Sequence, residues 1–324
     1  MSYKIISKFS YEISENEWFE IKESFNLIFK KNNSINFFKN KYTDCSLGFS
    51  THGILYFNDK IVGCFTIIPR DYSVFNKKEI IGLACDAYIL EGHREDELFL
   101  RKISESAISK INDKKITKFI SLPNPGAYKY WKYLSNWKDI GELDYFAYPV
   151  NFSKLIFKNS FLSFLSLWFS CILSFLFKIA YTFSNNVKEK NIFIEFDKSS
   201  KKQRFNLDAY NHIKLSNKAW GYYRIYQEEC LNVAYIVHIN FLSKKNISAM
   251  INKIIIENGS EIDLIVYVGN LSNRPLNLFK LPKKKYPRRL FFTGLIKDKS
   301  DYLQNKDFLN LNEWEVNLVN FDNR

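Results

Sequence analysis

From Gly53 to Trp137 the chain presents, in order, the signals of a hairpin, a long strand, a helix, a short strand and a second helix, and few folds satisfy that order. Gly53 to Phe57 faces Lys60 to Arg70 across Asn58-Asp59, a polar pair of the kind that closes a two-residue hairpin. Glu79 to Leu90 is apolar enough for a central strand, yet it carries Asp86 in its middle. A carboxylate there needs a partner or a chemical task. Between Arg94 and Lys110 the residues Leu98, Phe99, Ile103, Ala107 and Ile108 recur at helical spacing. Lys118 to Leu122 then reads as a buried strand, Pro123 to Gly126 stops it, and Ala127 to Leu134 begins another helix.

With 324 residues the chain is long enough for two domains, and 46% hydrophobic with 17% aromatic residues supplies a core rather than a disordered composition. Cys45, Cys64, Cys85, Cys171 and Cys230 are odd in number and widely spaced, which fits buried free thiols in a reducing compartment better than a disulfide framework. His52, His93, His212 and His238 stand apart from one another and from paired cysteines, so no metal is expected. No phosphate loop, nucleophile elbow or dinucleotide fingerprint is present. The net charge of +13 comes mainly from dispersed lysines, without a nucleic-acid-binding motif, so no nucleic-acid partner is expected. Lys283-Lys-Lys-Tyr-Pro-Arg-Arg289 is the one dense cluster, read either as a contact for phosphates or anionic lipid or as a solvated loop.

An uncharged run between Lys158 and Lys178 is about long enough to cross a bilayer. Its serines Ser160, Ser163, Ser166, Ser170 and Ser174 fall along one helical stripe. Three readings stand: a helix buried between two lobes, a helix seated peripherally on a membrane through residues 159–177, and a true span.

The remainder reads as strand, helix and strand again. Asn191 to Phe196 is a strand and Asn206 to Leu215 a helix; Trp220-Gly-Tyr-Tyr-Arg224 and the strand Asn232 to Phe241 follow. A helix over Asn246 to Glu257, a strand over Glu261 to Gly269, and closing strands at Leu290 to Gly294 and Trp314 to Val319 complete the pattern. The expected fold class is mixed α/β, with domains at 1–150 and 191–324 joined by a hydrophobic helical connector at 151–190.

Phe57-Asn-Asp-Lys-Ile-Val-Gly63, Cys85-Asp-Ala-Tyr-Ile-Leu90 followed by His93-Arg94, Pro123-Asn124, and Leu134-Ser-Asn-Trp137 before a final hairpin carry a resemblance to the GNAT-type N-acetyltransferases. It covers roughly residues 1–150 and is nearest to divergent members found with bacterial surface-polysaccharide genes; the second half is reminiscent of a degenerate second GNAT-like lobe. The resemblance implies acetyl-CoA as acyl donor and an amine acceptor, a small or lipid-linked amino sugar, attacked without a covalent enzyme intermediate. It also implies a cytoplasmic location, at or near the inner face of the membrane. In that family an Arg/Gln-x-x-Gly-x-Gly/Ala loop holds the CoA pyrophosphate at a helix N-terminus. Here the loop reads Arg94-Glu95-Asp96-Glu97-Leu98, so Arg94 matches and the glycines are absent. The family's proton-donating tyrosine position holds Trp131, which passes the role to Tyr128 or Tyr130.

Among the residues themselves, Asp86 is the leading candidate base, because strand alternation places it on the face opposite Cys85; the plainer reading is an Asp that caps a loop or pairs with a lysine. His93 is either a second base or cofactor contact, or a surface histidine. Asn124 either touches the pantetheine arm or caps the next helix, and with Tyr128 and Tyr130 it is expected to line one side of a cleft. Three other functions remain open: a non-catalytic GNAT-like binding protein, a two-lobed aminoacyl-tRNA-dependent transferase, and a membrane-tethered interaction protein built around the central helix.

Overall fold

The computed structural model describes residues 2–43, 45–157, 163–182, 190–196, 201, 204–205, 210–272, 274–297 and 306–320. The chain forms two compact units, each assembled from separated segments. Met1–Glu142, Asn191–Arg204 and Leu290–Glu313 make the first; Leu143–Lys190, Phe205–Arg289 and Trp314–Arg324 make the second. The expected consecutive domains are corrected accordingly. The first ends at Glu142 rather than 150, and two stretches of the second half return to it.

In the first unit, β1 (Tyr3–Phe9), β2 (Thr51–Phe57), β3 (Lys60–Val74), β4 (Lys77–Ile89) and β5 (Lys118–Ser121) lie side by side in chain order. Asn58 and Asp59 both adopt positive φ, 48° and 61°, as the tight β2–β3 turn requires. The sheet continues into β6 (Lys138–Glu142) through a strand from far along the chain, Phe291–Ile296, which pairs antiparallel with both β5 and β6. Residues Ile192–Ile194 add to the far end of β3.

Helices α1 (Glu15–Phe29) and α2 (Ile35–Thr43) cover one face of this sheet through Trp18, Phe25, Phe38, Tyr42, Ile68 and Tyr88. Helices α3 (Phe99–Asn112) and α4 (Pro125–Leu134) belong to the other core, with Phe65, Ile103, Phe119, Trp131 and Trp137. Gly53 lets α3 approach: a Cβ there would collide with the backbone carbonyl of Ile103. Helix α3 starts at Phe99, five residues later than Arg94 at the start of its periodic segment. Residues 91–93 form a 3-10 turn instead, and the chain enters the helix only after the acidic loop.

The second unit is built on its own sheet. Its strands are β7 (Asp144–Pro149), β9 (Asn211–Lys214), β10 (Trp220–Glu228), β11 (Leu231–Ile239), β12 (Leu264–Gly269) and β13 (Phe279–Lys280), Ile192–Ile194 being β8 and Phe291–Ile296 β14. They run in the order β13-β7-β12-β11-β10-β9, parallel between β11 and β12 and antiparallel elsewhere. Besides the short α5 (Phe152–Phe157), helices α6 (Ser163–Ala180) and α7 (Lys244–Asn258) flank it, with Ile251, Ile254 and Ile255 in a core that Leu167 and Cys171 join.

Three local expectations change. Residues 138–149 do not form a hairpin, since β6 and β7 pair with different sheets. Asn211–Lys214 is a strand where a helix was expected over 206–215, because Trp220–Tyr223 supplies a pairing partner; 206–209 lie outside the described residues. After a two-residue extended piece at Trp314–Glu315, Leu318–Asn320 is a 3-10 turn. Among the described residues, no helix is long and apolar enough to cross a membrane; residues 158–162 of the hydrophobic run are outside the description.

Candidate active site in the first unit

The site follows from where two parallel strands stop pairing. β4 and β5 pair from Gly82–Phe119 to Ala84–Ser121, where β5 ends; among the described residues, β4 then continues to Ile89 paired with β3 alone. A notch therefore opens between the end of β4 and the start of α4. At its mouth β4 bulges: Thr66 pairs with Cys85 and Cys64 with Tyr88, so β4 holds one extra residue there. Asp86 sits in that bulge with φ 50°.

The bulge overturns the alternation argument. Cys85 packs against the core beneath α1 and α2, and the Asp86 carboxylate turns to the same side. Its Oδ2 accepts hydrogen bonds from Lys41 Nζ at 2.5 Å and Tyr42 Oη at 2.7 Å. Oδ1 is buried with no hydrogen-bond partner among the described residues. Side-chain exposure is 0% for Asp86 and 5% for Lys41, so the carboxylate does not face solvent. The lysine-pairing reading is the one the structure supports. Burial, followed by the Asp86 charge, pushes the Tyr42 phenol well above its ordinary pKa.

Beside this pair lies a buried histidine. His52 Nε2 is 2.8 Å from Ser50 Oγ and Nδ1 is 3.0 Å from Thr66 Oγ1, while its ring meets Tyr42 edge-on at 4.7 Å. Burial, with the Lys41 charge second, lowers its pKa to about 3, so it is neutral. Lys41, Tyr42 and His52 carried no sequence signal. They come from an ordinary amphipathic helix and an apolar strand, and only packing joins them to Asp86.

The other candidates fall on the loop after β4 and on α4. Arg94 is exposed, and its Nε donates to the Ile89 carbonyl at 2.9 Å, tying the loop back to the end of β4. His93 Nδ1 is 3.2 Å from Tyr3 Oη and its ring packs on Phe57, which makes it part of the strand-end packing. The acidic loop is held locally: Asp96 Oδ1 accepts from Leu98 N at 2.7 Å, and Oδ2 from Lys102 Nζ at 2.7 Å. That lysine holds the Asp96 carboxyl below its usual range.

Asn124 caps α4, accepting from Ala127 N at 2.8 Å, with Pro125 in the first turn. Tyr128 and Tyr130, two residues apart, leave the helix on different sides. Tyr130 Oη donates to the Glu97 carbonyl at 3.1 Å, joining α4 to the loop after β4. Tyr128 instead stacks on Phe291 at 3.9 Å and donates to Asp139 at 2.8 Å. The expected common lining by Asn124, Tyr128 and Tyr130 is therefore not formed: Tyr130 joins the loop after β4, whereas Tyr128 meets Phe291 and Asp139. Burial raises the pKa of both phenols, so both are neutral donors. Trp131 is a core residue between Phe65 and Trp137.

No protein-family model and no curated protein matches the chain. Among solved structures, a GCN5-related N-acetyltransferase from Anabaena variabilis matches with TM-score 0.59 and 11% identity, over 92% of this chain and 73% of that one. A probable N-acyltransferase of unknown function from Enterococcus faecalis matches with TM-score 0.60 and 10% identity, over 94% and 75%. A GCN5-related N-acetyltransferase from Kribbella flavida matches with TM-score 0.58 and 8% identity, over 92% and 72%. The fold is thus of the GNAT type, and the likeness extends over nearly the whole chain.

Proposed function

We propose that the protein is an acyltransferase that moves an acetyl or related acyl group from acyl-CoA to an amine, with the first unit as the catalytic lobe. The observation that carries this reading is the notch beyond Ala84–Ser121, where β4 runs on without β5. Backbone groups of an unpaired strand edge suit an extended amide-bearing chain such as pantetheine. Acetyl-CoA would supply the activated thioester. The chain would hold its pantetheine arm along Asp86–Ile89 and meet its phosphates with Arg94.

Tyr130, as a neutral phenol, would hold the proton that a departing thiolate needs. Asp86 acts in this scheme as a positioning residue: its ion pair with Lys41 stabilises the bulge that ends pairing with β5. An amino sugar of surface-polysaccharide assembly, free or lipid-linked, is the acceptor class proposed, on the resemblance of the sequence alone.

A second reading has its own observation. Asp96 already occupies the Leu98 N–H at the start of α3, and that carboxylate repels a diphosphate. It favours a lobe that binds a ligand without acyl transfer. Calorimetric titration with acetyl-CoA, alongside Arg94→Ala, separates the two. Micromolar binding weakened about tenfold by the substitution supports the transferase. A folded sample that binds no acetyl-CoA, and releases no thiol with amino-sugar acceptors, leaves the second reading.

A further inference from the structure

Helix α6 is seated inside out. Its small polar side faces the protein: Ser170 Oγ donates to the Val150 carbonyl at 2.8 Å, Tyr148 Oη donates to the Ser170 carbonyl at 2.8 Å, and Asn252 donates to Ser174 Oγ at 3.1 Å. Ser170 and Ser174 are wholly buried, and Gly259 of the neighbouring segment leaves room for Leu167. The outward side carries Phe164, Leu165, Trp168, Phe169, Phe175 and Leu176, each more than half exposed. The expectation of a buried connector is corrected by this face.

A monomer in water gains nothing from such a stripe, and a patch of this kind marks an interaction surface. The helix cannot roll to hide it without breaking the hydrogen bonds of Ser170 and Ser174.

We infer that α6 lies in the interface of an anionic lipid bilayer, with its apolar face among the acyl chains and the basic residues of the second unit against the headgroups. Charge selects this occupant. The chain carries a net +13, which complements an anionic surface. Leu276, 75% exposed, extends the apolar surface at the far end of α6, where its N–H donates to Tyr181 Oη at 2.8 Å. Seven residues further on begins the exposed run Lys283-Lys-Lys285, followed by exposed Arg288-Arg289. A basic cluster within a short chain distance of an apolar helix is what an anionic surface recognises. Among the described residues no helix is long and apolar enough to cross a membrane, and the inference seats α6 along the interface. This inference is independent of the catalytic reading.

The test is co-sedimentation of the full chain with vesicles of phosphatidylcholine alone or of equal parts phosphatidylcholine and phosphatidylglycerol. Binding to the anionic vesicles is expected, with a blue shift of Trp168 emission and weakening by salt of about 0.5 M. Phe164→Ser/Trp168→Ser/Phe175→Ser should lower that binding about tenfold or more while the circular dichroism spectrum is unchanged, because all three side chains are exposed. Lys284→Glu/Lys285→Glu, which leaves the helix intact, should also weaken it. Wild-type protein remaining in the supernatant, equal binding to both vesicle types, or a dimer that the triple substitution converts to monomer would each overturn the inference.

Discussion

Lys41 and Asp86, 45 residues apart in sequence, form a 2.5 Å ion pair from which water is almost entirely excluded. The lysine comes from α2 and the aspartate from the bulge of β4, so the pair clamps a helix to the place where β4 shifts register against β3. An isolated buried charge is far more costly than a buried pair.

Removing one partner should therefore be severe. Lys41→Met is expected to cost about 3–5 kcal/mol, because it leaves the Asp86 carboxylate buried without its cation. Asp86→Asn should also destabilise, yet Asn tolerates the positive φ, so the double substitution should recover part of the loss. Urea unfolding of the four proteins measures this; a cost below about 1 kcal/mol for Lys41→Met would sink the account.

Acid should unfold the first unit in two stages. His52 has a folded pKa of about 3 against an ordinary 6.5, so the unfolded chain takes up a proton first, and stability is complete above pH 6.5 and falls as pH drops towards 3. Burial pushes the Glu17 carboxyl up, but hydrogen bonds from Lys8, Tyr56 and Ser14 outweigh it and hold the group at about 2. Its contribution is present above pH 4.5 and is lost between 4.5 and 2. Each proton contributes a slope of about 1.4 kcal/mol per pH unit. In His52→Gln the loss should begin only near pH 4.5, as followed by denaturant midpoints across pH.

Gly53→Ala should destabilise by about 2–4 kcal/mol, since the added methyl meets the Ile103 backbone rather than a side chain that could rotate away. Gly92→Ala, with open space around the site, serves as the control and should shift the thermal midpoint little. Equal midpoints for both variants would show that α3 does not depend on this close approach.

Tyr130→Phe should lower kcat about a hundredfold with little change in the KM for acetyl-CoA, and should remove the basic limb of the pH–rate profile. Tyr128→Phe should leave the rate within a few fold, since that phenol leaves α4 on the other side, against Phe291 and Asp139. The reverse ranking would move the proton donor to the other side of α4.

Local signals carried a long way in this chain. The Asn58-Asp59 turn, the period of α3, the Asn124 cap and the stop after Ser121 each depend on residues within a few positions of one another, so spacing and side-chain type suffice to read them. The α6 serine stripe was legible for the same reason, although its direction was not. A stripe shows that a helix has two faces and does not say which one meets the protein.

What only the tertiary structure decided involves partners distant in sequence. Asp86 turned to the side of Cys85 because a bulge broke the alternation, and its partner Lys41 arrived from a helix with no chemical signature. Phe291–Ile296 entered the first sheet between β5 and β6, separating β6 from the hairpin that adjacency suggested. Asn211–Lys214 became a strand because Trp220–Tyr223 offered it a ladder. Local sequence determined which elements could form, through turn geometry, periodicity and capping. Which elements paired, and so where the notch opened and which carboxylate was sealed, depended on burial and hydrogen bonding between segments that exist together only in the folded chain.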